Sequence, residues 1–140
     1  MAEPTVTFLK LASTQELICE DVPLLLNGAS LHCCPSRPEQ REAFGNVVLE
    51  AKMSGVPSIV TPSGDLPDLV AHRRDGWVCQ EPTAVAIAEA LEYFLTRPAA
   101  LEAAGEAALV SAGQYSEDRF AASWARVFTI TSHEPAHALQ

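Results

Sequence analysis

The stretch FGNVVLEAKMSGVPSIVT, residues 44–61, decides the fold class. Its first part predicts a helix that Gly55 closes, because glycine is common just past the last helical turn. Its second part, VPSIVT (56–61), is a short apolar run typical of a strand buried in a parallel sheet. A helix followed directly by such a strand indicates one unit of an α/β domain.

The alternation of strands and helices extends in both directions from this unit. Predicted strands are TVTFLK (5–10), SLHCC (30–34) and WVC (77–79). Predicted helices are 14–29, 66–72, 83–97, 98–113 and 116–130, with Thr83 and Ser116 as N-caps and Pro98 at the first position of its helix. The fold class is therefore α/β: a Rossmann-like parallel sheet with flanking helices, half of a doubly wound domain. We expect one domain over 1–131 and a flexible tail over 132–140.

Charge and length exclude several classes of protein. The 140 residues suit a single domain with a core of its own. Eighteen acidic against nine basic residues give a net charge of −9, which disfavours partners such as nucleic acid or an anionic membrane surface. The apolar runs are short, and the start MAEPTVTFLK has no signal-peptide pattern. We expect a cytoplasmic protein.

The cysteines predict neither a metal site nor a disulfide framework. Cys19, Cys33, Cys34 and Cys79 contain no C-x2-C pair, and neighbours in a strand point to opposite faces. Free Cys commonly behaves as a small buried hydrophobe, so we expect buried free thiols. The four histidines are dispersed along the chain.

The topology predicts where a ligand would bind. In open α/β sheets ligands lie beyond the carboxyl ends of the strands, which here precede the loops 35–45, 61–67 and 80–83. Gly45 opens the helix after the first loop, and a residue without Cβ lets a ligand approach the main chain. Unpaired N–H groups and the helix dipole favour an anion there, so a phosphate needs no basic side chain at this spot.

Two acidic residues flank this helix start. Glu42 lies just outside the helix and Glu50 about one and a half turns inside it, so both can face one crevice. Their separation suits recognition of sugar hydroxyls better than sharing of a proton, because ionised carboxylates only accept hydrogen bonds. Acidic residues near a helix start are also often surface groups that complement the dipole, and the spacing leaves both interpretations open.

Several motifs in order carry a family resemblance. They are Pro35-Ser36, then Glu42 to Glu50 enclosing Phe44 and Gly45, then GVPSIVT, SGDLPDLV and HRRDGWV. Together they resemble the nucleotide-sugar-binding region of retaining glycosyltransferases of family 4, which have the GT-B architecture of two facing Rossmann-like domains. The element order matches over about residues 5 to 130.

The resemblance implies a donor site and a reaction. The acid matching Glu42 would contact donor-sugar hydroxyls and be the catalytic residue, and the acid matching Glu50 would hold the ribose. The main chain at Phe44 and Gly45 would meet the sugar and diphosphate, and Asn46 and Gly64 complete the expected donor-binding set. The implied reaction moves a sugar from a nucleotide diphosphate sugar to an acceptor hydroxyl with retention, without a metal or another cofactor.

The sequence also departs from the family pattern. Asp65 replaces the second glycine of a GG loop. Arg73 replaces the glycine that follows His72, and we expect the turn at Arg73 to differ from the family pattern. The chain resembles a second GT-B domain that begins midway, without the acceptor domain or the family's Arg/Lys pair for the diphosphate. We therefore expect a partial C-terminal domain that is inactive alone and needs an acceptor-binding domain or chain.

An incomplete sheet leaves an open edge and apolar faces, which favours a homodimer. Phe120, Trp124 and Phe128 recur every four residues in the last helix, and ordinary core packing is the simplest interpretation of that pattern.

Two other functions remain open on the sequence. One is a nucleotide-sugar-binding or regulatory module without catalysis. The other is an unrelated Rossmann-like enzyme such as a sugar epimerase. A dinucleotide enzyme is disfavoured because no G-x-G-x-x-G follows VTFLK, and a serine hydrolase because no G-x-S-x-G is present.

Overall fold

A computed structural model describes residues 22–37, 39 and 45–131. The predicted strand 5–10, the residues Glu42 and Phe44, and the tail 132–140 lie outside the described residues.

The described part of the chain alternates strands and helices as the sequence predicts. The strands are β1 (His32–Cys34), β2 (Ser58–Val60) and β3 (Gly76–Val78). The helices are α1 (Val22–Asn27), α2 (Asn46–Met53), α3 (Leu66–Leu69), α4 (Ala84–Leu95), α5 (Pro98–Ala112) and α6 (Glu117–Thr131), with a 3-10 turn at Gly113–Tyr115 between the last two. Each strand comprises three residues. The predicted strands 30–34 and 56–61 were therefore too long, whereas 77–79 had the observed length and was shifted by one residue.

The three strands form one parallel sheet in the order β1-β2-β3. In the register, Cys33 pairs with Ile59, and Ile59 pairs with Trp77. Because all strands are parallel, their carboxyl ends meet at one edge, which is where the sequence predicts a ligand. The α/β, Rossmann-like fold class is confirmed.

The core lies on both faces of β2, whose residues are all buried. Successive strand side chains point to opposite faces, so Val60 and Ile59 belong to different apolar clusters. The Val60 cluster also holds Val48, Leu66, Leu69 and Val70. The Ile59 cluster also holds Cys79, Ala90, Phe94 and Ala104.

The predicted helix caps are confirmed. The Thr83 hydroxyl oxygen accepts a hydrogen bond from the Ala86 N–H at 3.2 Å, which satisfies one unpaired donor at the start of α4. The Ser116 hydroxyl oxygen accepts one from the Arg119 N–H at 3.4 Å at the start of α6. Pro98 opens α5, where its missing N–H costs nothing.

Two expectations about burial were wrong. Cys79 is buried as expected, but Cys33 is exposed: it shares the sheet face of its register partner Ile59 and lies on the edge strand of the described sheet, outside the buried cluster around Ile59. Phe120 and Trp124 are 65% and 48% exposed, so α6 does not bury its aromatic face in the core. The reason is position: among the described elements, α6 packs mainly on the 3-10 turn that precedes it.

No helix among the described residues is long and apolar enough to cross a membrane.

Candidate functional site

Two loops are joined at the carboxyl edge of the sheet. The Thr61 hydroxyl donates a hydrogen bond to the Ser36 carbonyl oxygen at 2.5 Å, and the Ser63 hydroxyl donates one to the Arg37 carbonyl oxygen at 3.0 Å. Both hydroxyl side chains are buried. The start of the loop after β1, residues 35–37, and the loop after β2 therefore lie against each other, as the parallel topology predicts.

Gly64 makes the turn from β2 into α3. Its φ of +54° lies in the left-handed region that glycine adopts without a steric penalty. The Leu66 N–H donates to the Ser63 carbonyl oxygen at 3.2 Å and closes the turn. Gly64 is exposed, so its main chain borders the surface that the two loops form. Asp65 is also exposed, and its side chain makes no capping hydrogen bond to α3.

The start of α2 faces the same edge. The Gly45 carbonyl oxygen accepts hydrogen bonds from the N–H groups of Val48 at 2.9 Å and Leu49 at 3.3 Å. The N–H groups of the first helical residues, beginning with Asn46, have no acceptor inside the helix. Asn46 is exposed. This helix end carries the positive end of the dipole and can donate hydrogen bonds to an anion.

The missing side chain of Gly45 serves packing. Gly45 is buried, and a Cβ built on it would lie 2.5 Å from Leu66 Cδ2 and 3.2 Å from Leu69 Cδ1. The expectation that this Cβ position opens onto a ligand is corrected: α3 fills that space. Gly45 lets α2 start against α3, which brings the helix start next to the Gly64 turn. A donor contact by the Gly45 main chain remains a prediction.

Glu50 is an exposed carboxylate on α2. The buried residues of the helix are Val48, Ala51 and Lys52, which define its inner side, and Glu50 lies outside it. The Glu50 side chain makes no hydrogen bond or ion pair with any other described residue. It can therefore accept hydrogen bonds from a ligand. The expected meeting of Glu50 with Glu42 and Phe44 involves residues outside the described ranges and stays a prediction.

Sequence reasoning missed the roles of Thr61 and Ser63. Both were recognised only as loop residues, yet their buried hydroxyls join the two loops. The available signal was two short hydroxyl residues directly after a fully buried strand, where main-chain acceptors of a neighbouring loop need donors.

Arg73 stands where the family pattern has a glycine, and the expected difference of this turn from the family stays a prediction. Arg73 has φ +62°, and its N–H donates to the Gly76 carbonyl oxygen at 2.7 Å. The arginine thus adopts the left-handed conformation that a glycine would adopt, and a tight turn is formed.

The described polar groups of the site are N–H groups, hydroxyls and one carboxylate. The described residues contain no group of three or more His, Cys, Asp or Glu side chains that could hold a metal ion. Such a site can bind an anion at the start of α2 and hydroxyl groups at Glu50.

Comparison with known proteins identifies the family. The family model for glycosyl transferases group 1 matches residues 13–110, which is well over half of the chain. This chain belongs to the glycosyl transferases group 1 family. The D-inositol 3-phosphate glycosyltransferase of Streptomyces griseus is 34% identical over 92 residues, which is 66% of this chain and 20% of that protein.

Solved structures agree on the fold. The sucrose-phosphate synthase of Thermosynechococcus elongatus superposes with a TM-score of 0.68 at 23% identity, over 77% of this chain and 27% of that chain. The Anabaena protein HepE, solved in complex with UDP-glucose, gives a TM-score of 0.66 at 21% identity, over 80% of this chain and 30% of that chain. The chain thus spans about a fifth to a third of the length of these proteins.

Proposed function

We propose that this chain forms the donor-binding part of a glycosyltransferase and binds a nucleotide diphosphate sugar at the carboxyl edge of its sheet. With an acceptor-binding domain or chain, it would transfer the sugar to an acceptor hydroxyl with retained configuration. Family membership supports the transferase class, and the HepE complex with UDP-glucose supports this class of ligand. A cytoplasmic location remains a prediction of the sequence.

The observation that carries the proposal is the joined pair of loops beside the start of α2. The hydrogen bonds from Thr61 and Ser63 hold Ser36 and Arg37, at the start of the first loop, against the second loop. A preorganised site loses less conformational entropy on binding, so more of the contact energy appears as affinity. The diphosphate would accept hydrogen bonds from the N–H groups at the start of α2 and from the exposed Gly64 turn.

Each proposed donor-binding residue has a chemical task. Glu50 would accept hydrogen bonds from the ribose hydroxyls, and Glu42 would accept them from the donor sugar and act as the catalytic residue. The main chain at Phe44, Gly45 and Asn46 would contact the sugar and diphosphate. As the sugar leaves, negative charge develops on the diphosphate, and oriented N–H donors stabilise that charge without reorganising.

The test is isothermal titration calorimetry against UDP-glucose, GDP-mannose and ADP-glucose and against UDP, GDP and ADP, on the parent chain and on Glu50→Ala. We expect the nucleotides of one base to bind. Glu50→Ala should lower the affinity for the nucleotide sugar and for the sugar-free nucleotide alike by tenfold or more, since a hydrogen bond to a charged group is worth about 1.5–3 kcal/mol. Equal affinity of parent and variant would remove the ribose role of Glu50.

Glu92→Ala is the matched control. Glu92 is an exposed acidic residue on α4 and lies on a helix that is not part of the site. Glu92→Ala should leave donor affinity unchanged, because Glu92 lies outside the proposed site. The control is matched because each variant removes one surface negative charge. Absence of binding by every nucleotide sugar, in a folded chain, would contradict the proposal for this chain alone.

A further inference from the structure

Arg73 adopts a conformation that costs free energy. Its φ of +62° places a non-glycine residue in the left-handed region, and it is the only such residue in the part of the chain described. Strained residues of this kind cluster at functional sites and ligand clamps.

The Arg73 guanidinium lies over two aromatic rings. Its central carbon is 4.9 Å from the centre of the Trp77 ring and 5.2 Å from the centre of the Tyr93 ring. Cation–π attraction at these distances holds the guanidinium over the rings. Its N–H groups donate no hydrogen bond to any described residue, so they are available to a ligand.

A second guanidinium shares the same ring. The central carbon of Arg97 lies 4.8 Å from the centre of the Tyr93 ring. Arg97 Nη1 also donates to the Thr96 hydroxyl at 3.0 Å and to the Tyr93 carbonyl oxygen at 3.4 Å. Since both distances end at one ring centre, the two guanidinium carbons lie at most about 10 Å apart.

The charge of this surface is opposite to that of the protein. Arg73, Arg74 and Arg97 are three of only nine basic residues in a chain with eighteen acidic ones, and all three are exposed. None of them forms an ion pair with a carboxylate of the described residues, although Lys52 does. We call Arg73, Arg74, Arg97, Trp77 and Tyr93 the arginine patch. Two positioned guanidiniums without a carboxylate favour a partner that brings its own anionic groups.

The arginine patch is separate from the proposed donor site. Arg73 and Arg74 precede β3, and Arg97 follows α4, so the patch lies toward the amino ends of the strands. The proposed donor site lies at the opposite end, because Gly64 follows the carboxyl end of β2. Pairing of a partner strand to the β3 edge is disfavoured, because the Gly76 carbonyl oxygen and the Val78 N–H already bond to Arg73 and His72. Recognition must therefore use side chains.

We propose that the arginine patch docks a short acidic segment of a partner protein, with two carboxylates accepting hydrogen bonds from Arg73 and Arg97. A carboxylate can accept two parallel N–H bonds from one guanidinium, which fixes the segment against the Trp77 and Tyr93 rings. The net charge of −9 repels extended polyanions such as nucleic acid or an anionic bilayer. A short segment that carries only a few negative charges is repelled less, so it is the favoured partner.

The test is fluorescence anisotropy of a fluorescein-labelled peptide that carries two adjacent glutamates, Gly-Gly-Glu-Glu-Gly-Gly, with the whole chain at about 0.15 M salt, where long-range repulsion by the net charge is screened. We expect saturable binding, weakened about tenfold or more by Arg73→Gly and by Arg97→Gln, because each removes a charged hydrogen-bond donor. Arg73→Gly also relieves the left-handed strain, so its thermal stability should not fall. Loss of binding in that variant therefore reports the side chain rather than unfolding.

Arg119→Gln is the matched control, because Arg119 is an exposed arginine on α6 outside the patch. Unchanged peptide binding by this variant supports the proposal. Equal weakening by all three variants, or no saturable peptide binding, would overturn it. Binding of phosphatidylserine vesicles or of a single-stranded oligonucleotide, but not of the peptide, would also overturn it.

Discussion

Lys52 Nζ lies 2.7 Å from Asp75 Oδ2, and both side chains are buried. Lys52 also donates to the Ser111 hydroxyl at 2.9 Å, and Asp75 Oδ1 accepts from the Ala71 N–H at 2.8 Å. One ion pair therefore joins α2, α5 and the turn before β3. Buried charges are tolerated only when they are paired and hydrogen-bonded in this way.

Removal of one partner of this ion pair should destabilise the fold strongly. Lys52→Met leaves the Asp75 carboxylate buried without its counter-ion, and we expect a loss of about 3–5 kcal/mol in the free energy of unfolding. Urea denaturation followed by circular dichroism measures this loss. The double variant Lys52→Met/Asp75→Asn should lose less than the two single variants summed. Strict additivity would show that the pair is not coupled.

The loss of stability caused by a glycine-to-alanine substitution should depend on which atoms the new Cβ contacts. At Gly76 the Cβ would collide with the Ser58 carbonyl oxygen of β2, and main chain cannot move aside. At Gly45 it would press on the buried side chain of Leu66, so we expect about 1–3 kcal/mol there and a larger loss at Gly76. Gly113, whose Cβ would meet nothing within 4 Å, is the control and should be neutral or slightly stabilising. Thermal unfolding of the three variants tests this order.

Stability should decrease below about pH 6.5 because of His32. Burial lowers the pKa of His32 from 6.5, and its Nδ1 lies 3.0 Å from the Ser58 hydroxyl. Between the lowered pKa and 6.5 the unfolded chain binds more protons than the folded chain, so stability falls as pH falls through this window. Below the lowered pKa both states are protonated and this contribution no longer changes.

Urea midpoints at pH 7.5 and at several lower pH values measure the effect. His32→Gln should flatten the pH dependence in this range. A pH profile that is identical in parent and His32→Gln would contradict the assignment.

The sequence predicts a homodimer from the incomplete sheet, and we now predict that the exposed aromatic face of α6 forms its interface. The ring centres of Phe120 and Trp124 are 6.1 Å apart, and both side chains are largely exposed. Sedimentation velocity at micromolar concentration should show a dimer that salt strengthens, because screening reduces repulsion between two chains of charge −9. Trp124→Arg should shift it to monomer, while Val85→Arg, at an exposed position of α4, should not. A monomer throughout would contradict the prediction.

Much of the fold follows from local patterns. The run 56–61 predicts a buried strand from its apolar residues, Thr83 predicts a helix start from its hydroxyl, and Gly64 supplies a left-handed turn. These features depend on the residue and its close neighbours in sequence, so the sequence is sufficient to find them.

The candidate site was predictable only in outline. The parallel order of the strands located it at the carboxyl edge, but the hydrogen bond from Ser63 to Arg37 joins residues 26 positions apart. The hydroxyl residues after the buried strand indicate that a main-chain acceptor is near, but nothing local identifies Arg37 as that acceptor. The same holds for Gly45, whose missing Cβ proved to make room for Leu66 rather than for a ligand.

The sequence by itself determined the α/β class, the order of the elements and the caps, because propensity and periodicity act over a few residues. Only the tertiary structure decided which side chains meet: Lys52 with Asp75, Arg73 with Trp77 and Tyr93, and the two loops with each other. The physical reason is that packing selects contacts between distant segments by shape and desolvation, and neither quantity is encoded in a local pattern.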